Sequence, residues 1–457
     1  MTGLAAPRAL PDGLLLGFYG DDFTGSTSTM EVMSFAGLPT ALFLDAPTPE
    51  RLKRFAGYRG VGIAGIARSQ TPDWMDAHLP GLFAALAALH APVVHYKICS
   101  TLDSAPHVGS IGRAIDIAAG VFAEGWTPFV VAAPAIGRYQ AFGNLFAAVA
   151  GTAHRLDRHP VMARHPVTPM DEADVRRHLA RQTSRPMGLV DLVSTKQGRG
   201  DAVLAHELAQ GARIVALDVV DEETLIEAGR LIWERGGRPV FAVGSQGVEY
   251  ALVAYWQACG LLDKADERAV RSGVDRIACV SGSCSPVTAG QIAHACDNGF
   301  AALRIDATRA VDPDDWARAI GQAADDALAA IGRGRDPLIF TAAGPDDPGV
   351  AALGAAIATS GSASGAVNDR IGKGLGQLLD QVMRKARLRR CVVAGGDTSG
   401  HATLAMGIYA LTALAPIAPG APLCRAYADD PSCDGREIAL KGGQIGAPDY
   451  FSAVKRG

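Results

Sequence analysis

At 457 residues the chain is longer than one hydrophobic core usually serves, so two domains are expected. Its 48% hydrophobic and 20% charged residues exclude a disordered chain. A net charge of −4 offers no electrostatic case for nucleic acid or an anionic membrane as partner, and no apolar run approaches the roughly 18 to 20 residues that span a bilayer.

The first predicted strand, Leu14–Tyr19, runs into "GFYGDDFTGSTST" (17–29) and then a helix. Asp21 and Asp22 thus stand at the carboxyl end of a strand, where open α/β sheets bind ligands. One aspartate suffices to cap the helix, and Asp21 is the candidate for that. Asp22 is the candidate to accept a sugar hydroxyl or act as a general base, since paired carboxylates repel phosphate. Strands at Pro39–Leu44 and Val61–Ile66 follow, the second placing Arg68 at an equivalent strand end. A helix at Trp74–Leu89 leads to a strand at Val93–Ile98, inside "HYKICSTLDSAPHVGSIGRA" (95–114). There Lys97, Cys99, Ser100 and Thr101 gather a cation and short donors, as a small carboxylate ligand requires, with Arg68 as a second cation.

Strands at Phe129–Ala132, Ile214–Leu217 and Pro239–Val243 continue the rhythm, with a helix at Asp171–Gln182 started by Thr168 before Pro169. After a helix at Tyr250–Leu262, the charged stretch 263–276 breaks the alternation and marks the domain boundary. A second series has strands at Ile277–Val280, Ala301–Ile305, Pro337–Thr341 and Cys391–Ala394. "VSGSCSPVTAGQI" (280–292) puts Ser283 in a small-residue turn before Pro286, the expected first helical residue, where backbone N–H groups converge on an anion. "VVAGGDTSGHATLAMGI" (392–408) repeats the pattern: Gly395 and Gly396 admit a phosphate, while Asp397 and Thr398 suit hydroxyl or Mg²⁺-water contacts. His401 reads as a helix-face residue. "ATSGSASGAV" (358–367) reads as a mobile loop or lid edge, and "LKGGQIGAPDYF" (440–451) offers Lys441 and flexible glycines.

The fold class is therefore α/β, with two α/β/α domains, mostly parallel sheets and an active site expected in the cleft between them. Eight cysteines without a Cys-x-x-Cys pair read as reduced thiols of a cytoplasmic protein, with no basis for zinc. The N-terminus lacks a basic region followed by an apolar core, so export is not expected. No GxxxxGK[ST] occurs and no GxGxxG follows the first strand, which argues against a P-loop enzyme and an NAD-linked oxidoreductase.

In order, "DDFTG", "KICST", "APAIGRYQAFGNLF", "HPVTPM", "GSQGVE", "VSGSCSPVT", "GGDTSG" and "LKGGQIG" resemble the four-carbon acid sugar kinase family, over about residues 15 to 451. The resemblance implies an acid-sugar-binding domain (1–265), a nucleotide-binding domain (275–457) and ATP- and Mg²⁺-dependent phosphorylation of a terminal hydroxyl. Carried onto this chain, Asp22, Arg68, Lys97, Ser100 and Thr101 bind the sugar acid, beside Asp21 and Cys99. Ser283, Gly395, Gly396, Asp397, Thr398 and Gly443 contact ATP. Asp22 and Asp397 are the expected catalytic pair, and no protein-bound metal site is expected. Family members commonly read Lys-x-Asp-Ser-Thr then Leu-Arg-Gly-Asn, whereas this chain has Cys99 for the aspartate and Asp103, Ser104 and Ala105 for the last three. That change of charge leaves a branched acid such as 3-oxo-isoapionate open beside 3-oxo-tetronate. It also keeps alive a non-catalytic sugar-acid or nucleotide sensor on the same fold. A homodimer is the base-rate expectation for assembly.

Overall fold

The computed structural model describes residues 7–122, 125–149, 151–165, 167–236, 239–265 and 271–457. The chain forms two compact units, residues 1–266 and 267–457. Of the charged stretch expected as the boundary, residues 266–270 lie outside the described residues, as does residue 166 of the "HPVTPM" segment.

The first unit contains strands β1 (Leu16–Gly20), β2 (Thr40–Phe43), β3 (Gly60–Ala64), β4 (Val93–Lys97), β5 (Thr127–Val130), β6 (Arg138–Ala141), β7 (Asn144–Val149), β8 (Thr152–Arg155), β9 (Met187–Val190), β10 (Ile214–Leu217) and β11 (Val240–Gly244). Its main sheet is parallel, in the order β2-β3-β1-β4-β11-β5-β10-β9. These strands are short and buried, as expected where helices cover both faces. β6, β7 and β8 form a separate antiparallel sheet. From β1 the chain passes to β2, returns through β3 beside β1, then crosses to β4 on the other side. The β1/β4 junction is therefore a topological switch point. Beneath it Tyr19 stacks on Tyr96 with ring centroids 5.8 Å apart, and Phe83 meets both edge-on. Aromatic burial of this kind contributes about 1.5–3 kcal/mol per ring and makes a rigid floor.

The second unit contains β12 (Ile277–Ser281), β13 (Phe300–Arg304), β14 (Asp336–Phe340), β15 (Arg390–Ala394), β16 (Ile408–Ala418), β17 (Ala421–Ala428) and β18 (Glu437–Lys441). The strand order is β13-β14-β12-β15-β18-β17-β16, parallel as far as β18 and antiparallel beyond it. The chain leaves β12 for β13 and β14 on one side and returns to β15 on the other, giving a second switch point at β12/β15.

Two expected elements are corrected. The helix placed at Asp171–Gln182 is only Val175–Leu179, capped by Asp174. Thr168 does not start it, because its hydroxyl donates to Asp103 and its N–H donates to His165 Nδ1. The Gly/Ser/Ala stretch 358–367 is no loop: the helix Pro348–Ser360 runs into it and the helix Ser364–Ala386 leaves it, with Gly361 turning between them. No helix among the described residues is long and apolar enough to cross a membrane.

Candidate functional site

At the first switch point Gly20 pairs with Ala64 of β3 and Lys97 of β4, so the segments after three adjacent strands open onto one crevice. Asp21 donates its N–H to Lys97 O at 2.9 Å, and its own carbonyl accepts the Arg68 N–H at 2.9 Å. Asp22, not Asp21, caps the helix Phe23–Phe35: its backbone is extended and its Oδ1 accepts from Gly25 N at 3.0 Å. Asp21 is instead buried, and its carboxylate accepts from Arg68 Nη2 at 2.6 Å and Nε at 3.3 Å. Arg68 Nη2 also reaches Asp22 Oδ1 at 2.7 Å. Burial pushes the Asp21 carboxyl up while the Arg68 guanidinium pulls it back. Against the desolvation of its own burial, Arg68 is held charged by both aspartates. The cation expected to clamp a ligand is thus already engaged by two carboxylates of the chain.

Lys97 is buried at the end of β4, with Nζ donating to Ile98 O at 2.7 Å. A Cβ on Gly25 would stand 2.8 Å from Lys97 Nζ and 2.3 Å from Asp22 Oδ1, so ammonium and carboxylate border the same glycine. Cys99 Sγ lies 3.1 Å from Thr101 Oγ1, and Ser100 Oγ accepts from Arg138 Nε at 3.3 Å. Arg138, which begins β6, is a residue that sequence reasoning passes over. Its segment, "APAIGRYQAFGNLF", is among the motifs that carry the family resemblance, but no role for the arginine followed from it. The divergent residues Asp103 and Ser104 face another way: Asp103 accepts from Thr168, and Ser104 Oγ lies 2.8 Å from His178 Nε2. Burial lowers the His178 imidazole to about 4, and its buried Nδ1 has no hydrogen-bond partner among the described residues.

At the second switch point Ser281, Ala394 and Lys441 lie in register at the ends of β12, β15 and β18. Gly395, at φ +124°, occupies a conformation that side-chain-bearing residues rarely adopt, and it leads into the helix Gly396–Ala405 with no side-chain cap. The first N–H groups of that helix therefore lack a capping acceptor. Ser283 Oγ accepts from Ser285 N at 3.2 Å, and a Cβ on Gly443 would lie 2.8 Å from the same oxygen. A Cβ on Gly395 would lie 2.8 Å from Thr398 Oγ1 and 3.4 Å from Ser283 N, so Ser283, Gly395, Thr398 and Gly443 do come together. Asp397 is exposed in the first turn of the helix. His401, as expected, serves the helix face, with Nε2 3.0 Å from Asp369 Oδ1.

Beneath the Gly443 turn, Lys441 is wholly buried, and its Nζ donates to Thr288 Oγ1 at 3.0 Å. Thr288 in turn donates to Gly443 O at 2.9 Å. Burial lowers the Lys441 ammonium to about 8. Gln291 Nε2 reaches the carbonyls of Ile445, Gly446 and Ala447, each at 3.0 Å, and so ties the last glycine turn to the helix Pro286–Asp297. Among the described residues no group of three or more His, Cys, Asp or Glu side chains is arranged to hold a metal ion.

Residues 16–252 match a family described as a sugar-binding N-terminal domain, and residues 278–451 match a nucleotide-binding C-terminal domain. A 3-oxo-isoapionate kinase of Paraburkholderia graminis is 49% identical over 98% of this chain and 96% of its own length. A 3-oxo-tetronate kinase of Cupriavidus necator is 32% identical over 97% of this chain and 96% of its own. Among solved structures, a protein from Salmonella typhimurium LT2 superposes with a TM-score of 0.76 at 25% identity, covering 96% of this chain and 98% of that one. On these matches over nearly its whole length, the chain belongs to the four-carbon acid sugar kinase family.

Proposed function

We propose that the protein transfers the γ-phosphoryl group of ATP to a terminal hydroxyl of a small sugar acid, the domain 1–265 holding the acid and the domain 275–457 the nucleotide. The observation that carries the reading is the sorting of chemistry between the two switch points. The first gathers Asp21, Asp22, Arg68 and Lys97, groups that suit an anionic polyol. The second gathers glycine turns and uncapped helix N–H groups, which suit phosphate.

Phosphoryl transfer is mainly positioning and neutralisation of charge. Asp22 orients the accepting hydroxyl and takes its proton, its Oδ1 held by Gly25 N and Arg68. Lys97 adds positive charge beside Asp22, and Cys99, Ser100 and Thr101 line the substrate turn. Ser283, Gly395, Gly396, Thr398 and Gly443 bind the phosphates. Asp397, an exposed carboxylate beside an uncapped helix end, would accept from water on a Mg²⁺ brought by the nucleotide, an ion that would supply charge neutralisation. ATP supplies the phosphoryl group. Among acids, 3-oxo-isoapionate is favoured over 3-oxo-tetronate because the relative of that name is 49% identical against 32%. No disulfide links the cysteines among the described residues, which suits the reducing cytoplasm.

The test is incubation of purified protein with ATP, Mg²⁺ and a panel of C4 and C5 sugar acids, 3-oxo-isoapionate first, with ADP release measured. Acid-dependent release is expected. Measurable acid binding without ADP release would make the protein a sensor and overturn the kinase reading.

A further inference from the structure

The substrate crevice contains a cation that the motifs did not assign. Arg138 begins β6 and is only partly buried. It follows Gly137 at φ +68°, where an added Cβ would lie 2.9 Å from Ala148 Cβ, so the close turn that aims it depends on glycine. Its Nε donates to Ser100 Oγ at 3.3 Å, and its Nη1 donates to the carbonyls of Ile136, Gly137 and Ala148 at 3.2–3.3 Å. All four partners are neutral. Among the described residues no carboxylate pairs with it and Nη2 has no acceptor.

We infer that Arg138 is the residue that recognises the carboxylate of the sugar acid and so sets the enzyme's preference for acids over neutral sugars. The inference rests on the kinase reading for its substrate class and goes beyond it in naming the anchor.

Three observations converge on this residue. Arg68 is engaged by Asp21 and Asp22, whereas Arg138 faces only neutral acceptors. Two carboxylates (Asp21, Asp22) against three cations (Arg68, Lys97, Arg138) leave the crevice one positive charge in excess, the complement of a monoanionic acid. Cys99 lies within electrostatic reach of both guanidinium groups. A carboxylate at that position, as family members commonly carry, would compete with the ligand for Arg138. With Nε and Nη1 donated to the chain, Nη2 is the guanidinium nitrogen left to donate to a carboxylate, whereas the Lys97 ammonium already donates to Ile98 O.

The experiment compares 3-oxo-isoapionate with its primary carboxamide, which keeps the shape and removes the charge. Steady-state kinetics and calorimetric Kd values are measured on wild type, Arg138→Gln and Arg138→Lys. Wild type is expected to favour the acid by at least about 30-fold. In Arg138→Gln the acid's KM rises roughly 30- to 1,000-fold with kcat within a few-fold, and the acid-to-amide ratio collapses towards one. Arg138→Lys, which keeps the charge and loses the Nη2 donor, restores part of that ratio. A purely structural role, acting through the Ile136 and Ala148 carbonyls, would weaken acid and amide alike and leave the ratio unchanged. An unchanged ratio in Arg138→Gln, or no acid preference in wild type, overturns the inference. If Arg138→Gln does not fold, the same ratio in Arg138→Lys decides, since full retention there would equally overturn it. Absence of ADP release sinks the kinase reading separately, because the calorimetric ratio still tests Arg138.

Discussion

Replacing Lys441 with Met tests the electrostatics beneath the phosphate turns. In the fold this ammonium is wholly buried with one neutral hydrogen-bond acceptor, Thr288 Oγ1, and the Tyr450 ring 5.8 Å away. Burial brings it from 10.5 to about 8, which corresponds to roughly 3 kcal/mol of destabilisation of the charged form. Methionine is of similar length and removes that cost, but forfeits a hydrogen bond of about 1 kcal/mol. Lys441→Met should therefore be about 2 kcal/mol more stable at pH 7. The folded pKa lies below the unfolded one, so the wild-type penalty is fully present below pH 8 and is relieved as pH rises to about 10.5. The variant's advantage should shrink above pH 8 and reverse by about pH 10. Urea unfolding of the full chain at pH 7, 8.5 and 10 reads this directly. Equal stability at pH 7, or a difference independent of pH, would refute the burial argument. If the ammonium serves bound phosphate, ADP affinity should also weaken above pH 8 in wild type and stay level, at a lower value, in the variant.

Asn caps a helix as well as Asp, so Asp22→Asn should leave the helix Phe23–Phe35 intact while lowering turnover by about 100-fold or more. Turnover within a few-fold of wild type would remove Asp22 from the chemistry. Cys99→Asp supplies a competing carboxylate near Arg68 and Arg138, and KM for the acid should rise at least about tenfold with KM for ATP unchanged. Gly443→Ala drives a methyl to within 2.8 Å of Ser283 Oγ and 2.9 Å of Ser285 Cβ, so it should raise KM for ATP and leave KM for the acid alone. His178 is held neutral down to about 4 by burial, so wild-type stability should fall by up to ~3 kcal/mol as pH drops from 6.5 to 4. His178→Gln should flatten that slope in acid unfolding curves.

The site segments legible in the sequence are those that follow a short apolar strand. A run such as Val93–Lys97 ending in polar and small residues is a local signal, and the parallel topology then brings such ends together. That is how Lys97, Ser283 and Gly395 could be read. The assignment of cap and buried acid between Asp21 and Asp22 failed because the choice depends on Asp22's extended backbone and on which carboxylate Arg68 meets first, both tertiary facts. The role of Arg138 was hidden for a related reason, although its segment is one of the quoted motifs. It reaches Ser100 across 38 residues of chain, from an antiparallel hairpin without a buried apolar run. The stretch 358–367 misled through composition: its small residues resemble a linker, yet Ser364–Ala386 buries Val367, Ile371 and Leu375 on one face, and that packing outweighs weak local propensity.

The hydrogen bonds that shape the phosphate turns, from Thr288 to Gly443 and from Lys441 to Thr288, lie within the second unit, just as the bonds fixing Asp21, Arg68 and Lys97 lie within the first. Each crevice is framed by its own strand ends. On the proposed function, an exchange of an acid for a thiol at position 99 would change the acid-binding side without disturbing the donors proposed to read the triphosphate. On the same reading, substrate preference can be altered on one side of the reaction while the other stays constant.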